Sequence, residues 1–91
     1  MSYETLLAYT GNCLARLRAS KRMTKNQVSK KIGVEWKRYD DIEAGKVNIT
    51  FKTLAKILDI LDSNINDLFA QPKTLEPTIE DIKRAGRRLS N

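Results

Sequence analysis

Apolar residues recur at helical spacing in five short segments of the chain. The strongest repeat is in the fourth segment, where Leu54, Ile57, Leu58 and Leu61 follow an i, i+3, i+4, i+7 pattern. The first and last segments have shorter apolar stripes, made of Cys13, Leu14, Leu17, Ile65, Leu68 and Phe69. The pattern predicts five helices that close one small all-α core.

The second segment carries signals for both of its ends. Thr24 can accept a hydrogen bond from a free backbone amide, and Gln27 can reach back to the amide of Thr24, which together make a capping box. Val28 and Ile32 then give the helix one apolar face. Gly33 supplies the left-handed residue that ends this short helix.

The third segment begins directly after that turn. Tyr39 and Ile42 form its apolar stripe, and Gly45 is its C-terminal stop. The other side holds mainly polar residues, namely Glu35, Trp36, Lys37, Asp40, Asp41 and Ala44. Two helices joined by a tight turn are the unit whose second helix lies in the DNA major groove, although a glycine between two helices is weak evidence alone.

The two ends of the chain are less clear from the sequence. Residues 1–9 are either an arm or an extension of the first helix, and residues 10–71 form the helical domain. In residues 72–91, Pro72 and Pro77 bracket a linker, and Thr78 can start a short helical tail. This tail is a solvated end, a dimerisation or docking segment, or an additional phosphate contact.

The positive charge is concentrated on the two-helix unit. The chain has 17 Lys and Arg against 11 Asp and Glu, which gives a net charge of +6. Seven cations and one carboxylate lie between Lys21 and Arg38, so this window carries the whole excess. Basic residues are often only a solvated surface, but their concentration on one motif favours a polyanionic partner.

The composition argues against several other classes of protein. The chain has no histidine and no cluster of carboxylates at ligand spacing, so we expect no metal, no cofactor and no enzymatic activity. Cys13 is the only cysteine, which excludes an intrachain disulfide and suits a reducing cytoplasm. No stretch has the length of a membrane span or the pattern of a signal peptide.

Several sets of residues over about two-thirds of the chain match one family. They are Gly11, Leu14, Leu17 and Arg18; Met23-Thr24, Val28-Ser29 and Ile32-Gly33-Val34; Ile42-Glu43-Ala44-Gly45-Lys46; and Thr53-Leu54, Ile57, Leu61 and Leu68-Phe69. On these residues the chain resembles the phage-repressor-like helix-turn-helix family, the Cro and CI type also called the Xre family. The resemblance implies a compact five-helix lambda-repressor-like DNA-binding domain, to which a short C-terminal helical tail would be added.

The resemblance also implies a structural role for two charged residues. Arg18 and Glu43 would pair across the core and hold the first helix against the third, so Glu43 belongs to the scaffold. The chain differs from the family pattern at three positions. Lys25 stands where the family usually has glutamine, Ser29 replaces alanine, and Glu35 occupies a position often held by a serine or threonine cap.

The expected base-reading residues lie at the start of the third segment, because recognition helices present their N-terminal residues to base edges. They are Glu35, Trp36, Lys37, Arg38 and Asp41. Lys37 can bind guanine, and Arg38 can grip phosphate instead. Trp36 can contact a thymine methyl or be a core or dimer aromatic. Asp41 can accept from cytosine or pair with Lys37 one turn away.

A second set is expected to contact the DNA backbone. It comprises Thr24, Lys25, Lys30, Lys46 and Asn48. We therefore expect a transcriptional regulator, most simply a repressor, that binds inverted-repeat operators as a homodimer in the cytoplasm of a prokaryote, at the nucleoid, or in a phage system. The alternatives are an antitoxin whose toxin binds residues 72–91, a restriction-modification controller protein, and an interaction module that does not bind DNA. Glu35, Asp40 and Asp41 favour the last of these.

Overall fold

A computed structural model of the protein describes residues 1–70, and within them the chain forms five α-helices and no strand. The helices are α1 (Tyr3–Ser20), α2 (Lys25–Ile32), α3 (Trp36–Glu43), α4 (Phe51–Ile60) and α5 (Ile65–Phe69). The all-helical fold predicted from the sequence is confirmed. Helix α1 begins at Tyr3 and so includes most of residues 1–9. The predicted linker and tail at residues 72–91 lie outside the described residues.

Side-chain caps start four of the five helices. Ser2, Thr24, Thr50 and Asn64 each accept a hydrogen bond from a first-turn amide of the helix that follows. The capping box predicted for Thr24 and Gln27 is present. Helix α3 is the exception, because its N-cap residue Glu35 makes no side-chain capping hydrogen bond. The start of α3 therefore depends on contacts made by the rest of the helix.

Helices α1 to α4 all end at a left-handed residue. Gly33 (φ 78°) and Gly45 (φ 71°) have this role after α2 and α3, as the sequence predicts. After α2 the amide of Val34 donates to the carbonyl of Ser29 at 3.0 Å, which is the bond of a Schellman motif. Arg22 (φ 58°) and Asp62 (φ 51°) have this role after α1 and α4. Aspartate adopts this conformation more readily than arginine does.

The core contains apolar residues from all five helices. Its buried members are Cys13, Leu14, Leu17, Val28, Ile32, Tyr39, Ile42, Leu54, Ile57, Leu58, Leu61 and Leu68. The predicted apolar stripe of α5 enters this core only through Leu68. Ile65 and Phe69 remain 45% and 39% exposed, because α5 has five residues and packs with one face on α1. No helix in residues 1–70 has the length and apolarity needed to cross a membrane.

Helix α1 approaches the C-terminal end of α3 at backbone contact distance. A β-carbon built on Gly11 would lie 2.4 Å from the carbonyl oxygen of Glu43 and 2.7 Å from that of Ile42. One built on Gly45 would lie 2.7 Å from the Cα of Ala8. Because real β-carbons do not approach backbone atoms so closely, both positions require glycine. These two contacts fix where the third helix sits on the first.

An ion pair joins the same two helices. Nε of Arg18 donates to Oε2 of Glu43 at 2.7 Å, and Nη2 donates to Oε1 at 3.1 Å. Nη1 of Arg18 donates to the carbonyl of Met23 at 2.8 Å, which ties the α1–α2 connection to the same group. These hydrogen bonds to Glu43 raise the pKa of Arg18 above its ordinary value. Removing one partner of such a buried pair strands the other charge, at a cost of about 3–5 kcal/mol.

The side chain of Tyr39 is buried next to this ion pair. Its hydroxyl lies near Glu43 and Arg18 but makes no hydrogen bond of good geometry within the described residues. Burial, followed by the proximity of the Glu43 carboxylate, raises the pKa of Tyr39 well above its ordinary value. The fold therefore favours the neutral phenol at this position.

We predict that Gly11→Ala lowers the free energy of unfolding by about 1–3 kcal/mol, because the new methyl group forces α1 away from the carbonyls at the end of α3. This loss should exceed the gain of about 1 kcal/mol that alanine brings to a helix interior. Urea unfolding followed by circular dichroism measures the change. Asn12→Ala, at the exposed neighbouring position of α1, is the control and should be neutral or stabilising. Equal stability of the two variants would refute the close contact.

We predict that Tyr39→Phe leaves the free energy of unfolding unchanged or slightly higher at neutral pH, because the lost hydroxyl has no hydrogen-bond partner. The ordinary pKa of tyrosine is 10.0, and the folded chain raises it. The stability linked to the neutral phenol is thus present below about pH 10 and is lost as the pH rises toward the folded pKa.

Urea unfolding between neutral pH and about pH 11 tests this linkage. The wild-type chain should lose stability at alkaline pH relative to Tyr39→Phe, whereas Tyr3→Phe, at an exposed position, should follow the wild type. A loss of about 1 kcal/mol or more for Tyr39→Phe at neutral pH would instead show that the hydroxyl is hydrogen-bonded.

Candidate nucleic-acid interface

The residues predicted to read bases come together on the N-terminal half of α3. Glu35, Trp36, Lys37 and Arg38 are exposed, and Asp41 is half-buried one turn further along the helix. We call these five residues the reading face. Trp36 is 48% exposed, so its interpretation as a core aromatic is wrong. The core side of α3 is occupied by Tyr39, Ile42 and Glu43.

Lys37 and Asp41 form an ion pair along α3. Nζ of Lys37 donates to Oδ1 of Asp41 at 2.9 Å, and the two residues are four positions apart. The Lys37 side chain is 67% exposed and that of Asp41 is 20% exposed. The hydrogen bond to Asp41 raises the pKa of Lys37. From the sequence, one of the two roles expected for Asp41 was an i, i+4 pair with Lys37. The structure contains this pair.

A second ion pair connects α2 with α3. Nζ of Lys25 donates to Oδ1 of Asp40 at 2.6 Å, across 15 positions of sequence. The same Nζ lies 6.0 Å from the ring centroid of Trp36, at the limit of a cation–π contact. The hydrogen bond from Lys25 lowers the pKa of Asp40. Sequence reasoning missed this role of Asp40, because no local spacing links the two residues.

The predicted phosphate-contacting residues differ in their availability. Lys30, Lys46 and Asn48 are exposed, and neither lysine forms an ion pair within residues 1–70. The ammonium of Lys25 is already paired with Asp40. The hydroxyl and the amide of Thr24 are both used in the capping box. Lys30 and Lys46 are therefore the lysines of this set that can bind a phosphate without breaking an ion pair within residues 1–70.

An apolar groove of about 380 Å³ lies apart from the reading face, between α1, the start of α4 and α5. Tyr3, Leu6, Phe51, Ile65 and Phe69 line it and are exposed, with Phe51 at 89%. The ring of Phe69 also stacks on that of Tyr9, with centroids 6.0 Å apart. Contiguous exposed apolar side chains of this kind are typical of a contact surface.

The described part of the chain holds no group of three or more histidine, cysteine, aspartate or glutamate side chains that could bind a metal ion. The carboxylates of Asp40 and Asp41 are each bound to a lysine.

A comparison with protein-family models matches residues 13–73 to the Cro/C1-type HTH DNA-binding domain. The matched range begins inside α1 and includes the whole α2–turn–α3 unit, α4 and α5. Neither the comparison with curated proteins nor the comparison with solved structures gives a match.

Proposed function

The chain belongs to the Cro/C1-type HTH DNA-binding domain family, and on that premise we propose that it represses transcription by binding inverted-repeat operators as a homodimer through the major groove. The observation that carries this proposal is the exposed, polar reading face on a helix whose opposite side is anchored in the core. The N-terminal residues of a recognition helix are the ones that reach base edges.

Each residue of the reading face has a proposed contact. Lys37 donates to guanine O6 and N7, and Asp41 accepts from a cytosine amino group. Trp36 packs on a thymine methyl group or on a sugar, for which its 48% exposure leaves enough surface. Arg38 is exposed and binds a phosphate or a guanine. Glu35 lies at the N-cap, where it also accepts from cytosine or excludes other bases.

The phosphate contacts supply affinity that does not depend on sequence. Lys30 and Lys46 are exposed and without an ion pair in the described residues, so they are the strongest candidates. Asn48 and the first-turn amides of α2 beyond Thr24 add hydrogen bonds to phosphate oxygens. Lys25 contributes only when its bond to Asp40 is exchanged for a phosphate.

The dimer is proposed to form through the apolar groove. One domain of this size makes few base contacts, and a two-fold dimer reads two half-sites about one helical turn apart. The exposed side chains of Phe51 and Ile65 gain an apolar environment when two copies pack against each other. Such a dimer would act in a prokaryotic cytoplasm, at the nucleoid.

An interaction module that does not bind DNA is the second candidate. Its support was the presence of Glu35, Asp40 and Asp41 near the start of α3. In the structure, Asp40 and Asp41 each form an ion pair with a lysine. Of these three carboxylates, only Glu35 has no lysine or arginine partner within residues 1–70. A toxin partner for an antitoxin would involve residues 72–91, which are not among the described residues.

We predict that the purified chain enriches inverted repeats from random duplex DNA. On the enriched operator, Lys37→Ala should reduce the preference over random DNA by about ten-fold, because it removes a base contact. Lys30→Ala should weaken binding to both DNAs to a similar extent and lower the log–log salt slope by about 0.9. Lys30 is a cleaner phosphate test than Lys25, whose removal also strands Asp40.

Fluorescence anisotropy with labelled duplexes over a range of salt concentrations measures both quantities. Enrichment of no sequence, together with a flat salt dependence, would favour the interaction module. An unchanged base preference in Lys37→Ala would mean that another residue reads the operator.

We predict that the chain sediments as a dimer and that Phe51→Asp or Ile65→Asp shifts it to the monomer, because each variant places a charge in the apolar groove. Both residues are the first of their helices, where aspartate is compatible with the helix dipole. Lys52→Asp, next to Phe51 in α4 and outside the groove lining, is the control and should remain dimeric. Equilibrium sedimentation tests this, and a dimer in all three variants would place the interface elsewhere.

A further inference from the structure

The ion pair between Lys37 and Asp41 places a hydrogen-bond donor and an acceptor side by side on the reading face. Nζ and Oδ1 are 2.9 Å apart. Lys37 lies in the first turn of α3, at the end of the helix that meets base edges, and Asp41 lies one turn further along on the same face. The question is which DNA feature offers an acceptor and a donor at this same separation.

A G·C base pair has this arrangement in the major groove. Guanine presents the acceptors O6 and N7, and cytosine presents the N4 amino donor. O6 and N4 are joined by a Watson–Crick hydrogen bond and are therefore about 2.9 Å apart. We propose that Lys37 and Asp41 read one G·C base pair as a unit, with the ammonium on guanine and the carboxylate on cytosine. This inference rests on the proposed function and adds to it the identity of one base pair.

Other base pairs fit the two side chains less well. In a T·A pair the ammonium would meet only thymine O4, since the neighbouring thymine group is a methyl. The carboxylate would then accept from adenine N6 but would lie beside the adenine N7 acceptor, which repels it. A reversed C·G pair would place the ammonium near the amino donor and the carboxylate near O6 and N7. The preference is thus for one base pair in one orientation.

The ion pair between Lys37 and Asp41 determines how much binding free energy is lost when Lys37 contacts a group other than its G·C base pair. In the free protein each side chain neutralises the other, so moving Lys37 to a phosphate leaves the Asp41 carboxylate unpaired near a polyanion. At G·C, Nζ and Oδ1 bind O6 and N4 while they remain side by side, so neither charge is left unpaired. Lys37 is the more exposed of the two, at 67% against 20%, so it is the side chain that leaves the pair for a phosphate of random DNA. Random DNA is therefore penalised more than the operator.

The chain contains a matched control for this proposal. Asp40 forms an equivalent bond with Lys25, but Lys25 is the first residue of α2 and lies outside the reading face. Breaking this second pair also removes one carboxylate beside the DNA. It should change the affinity for all sequences without changing which base pair is preferred at any position.

The test compares wild type, Asp41→Ala, Lys37→Ala and Asp40→Ala on operators that carry each of the four base pairs at each half-site position. The wild-type chain should prefer G·C in one orientation at one position, by about ten-fold or more. Asp41→Ala and Lys37→Ala should both lose this preference at that same position. Asp41→Ala should also bind random DNA more tightly, because it frees the Lys37 ammonium. Asp40→Ala should bind random DNA more tightly and keep the preference.

A second probe separates the two halves of the unit. Replacing the guanine by 7-deazaguanine removes the N7 acceptor, which should weaken DNA binding by the wild type but not by Lys37→Ala. The proposal is overturned if Asp41→Ala keeps the preference that Lys37→Ala loses, or if the preferred pair is T·A. A wild-type chain with no base preference at any position would instead overturn the proposed function. Circular dichroism confirms that each variant is folded.

Discussion

The bidentate ion pair between Arg18 and Glu43 is the contact on which the position of α3 depends. Helix α3 has only eight residues, too few to be stable as an isolated helix in water. Its C-terminal end is held by this ion pair, by the backbone contact of Gly11 with the Glu43 carbonyl, and by the contact of Gly45 with Ala8. Its N-terminal end has no side-chain cap. The helix is therefore anchored at the end that faces away from the proposed DNA contacts.

The protein has a net positive charge, and some of its surface lysines also form ion pairs with aspartates. The overall charge of +6 gives long-range attraction to a polyanion. Close to α3, however, Lys25 and Lys37 are bound to Asp40 and Asp41. Only the remaining cations are available to phosphate without a loss of internal bonds. In the proposed complex, exposed lysines such as Lys30 supply general affinity, and the pair of Lys37 with Asp41 supplies base selection.

The α2–turn–α3 unit and its neighbourhood were largely predictable because their signals are local. Capping boxes, left-handed glycines and i, i+3 or i+4 apolar spacing each act over a few residues, and Thr24, Gly33 and the stripe of α4 were found from them. Ile65 and Phe69 have the same helical spacing as the buried Leu68, but α5 leaves both of them partly exposed. The left-handed conformation of Arg22 escaped prediction, since backbone closure and not residue preference imposes it.

The sequence by itself determined the helices and the family, because helix formation and amphipathic spacing are properties of adjacent positions. It also predicted the residues of the reading face. Only the tertiary structure decided which charges are already paired and which backbones touch. The bond of Lys25 to Asp40 joins residues that are 15 positions apart, so no local sequence pattern indicates it. The need for glycine at position 11 likewise exists only because the Glu43 carbonyl lies 2.4 Å from where a β-carbon would be. Such contacts depend on how helices pack, which no short window of sequence specifies.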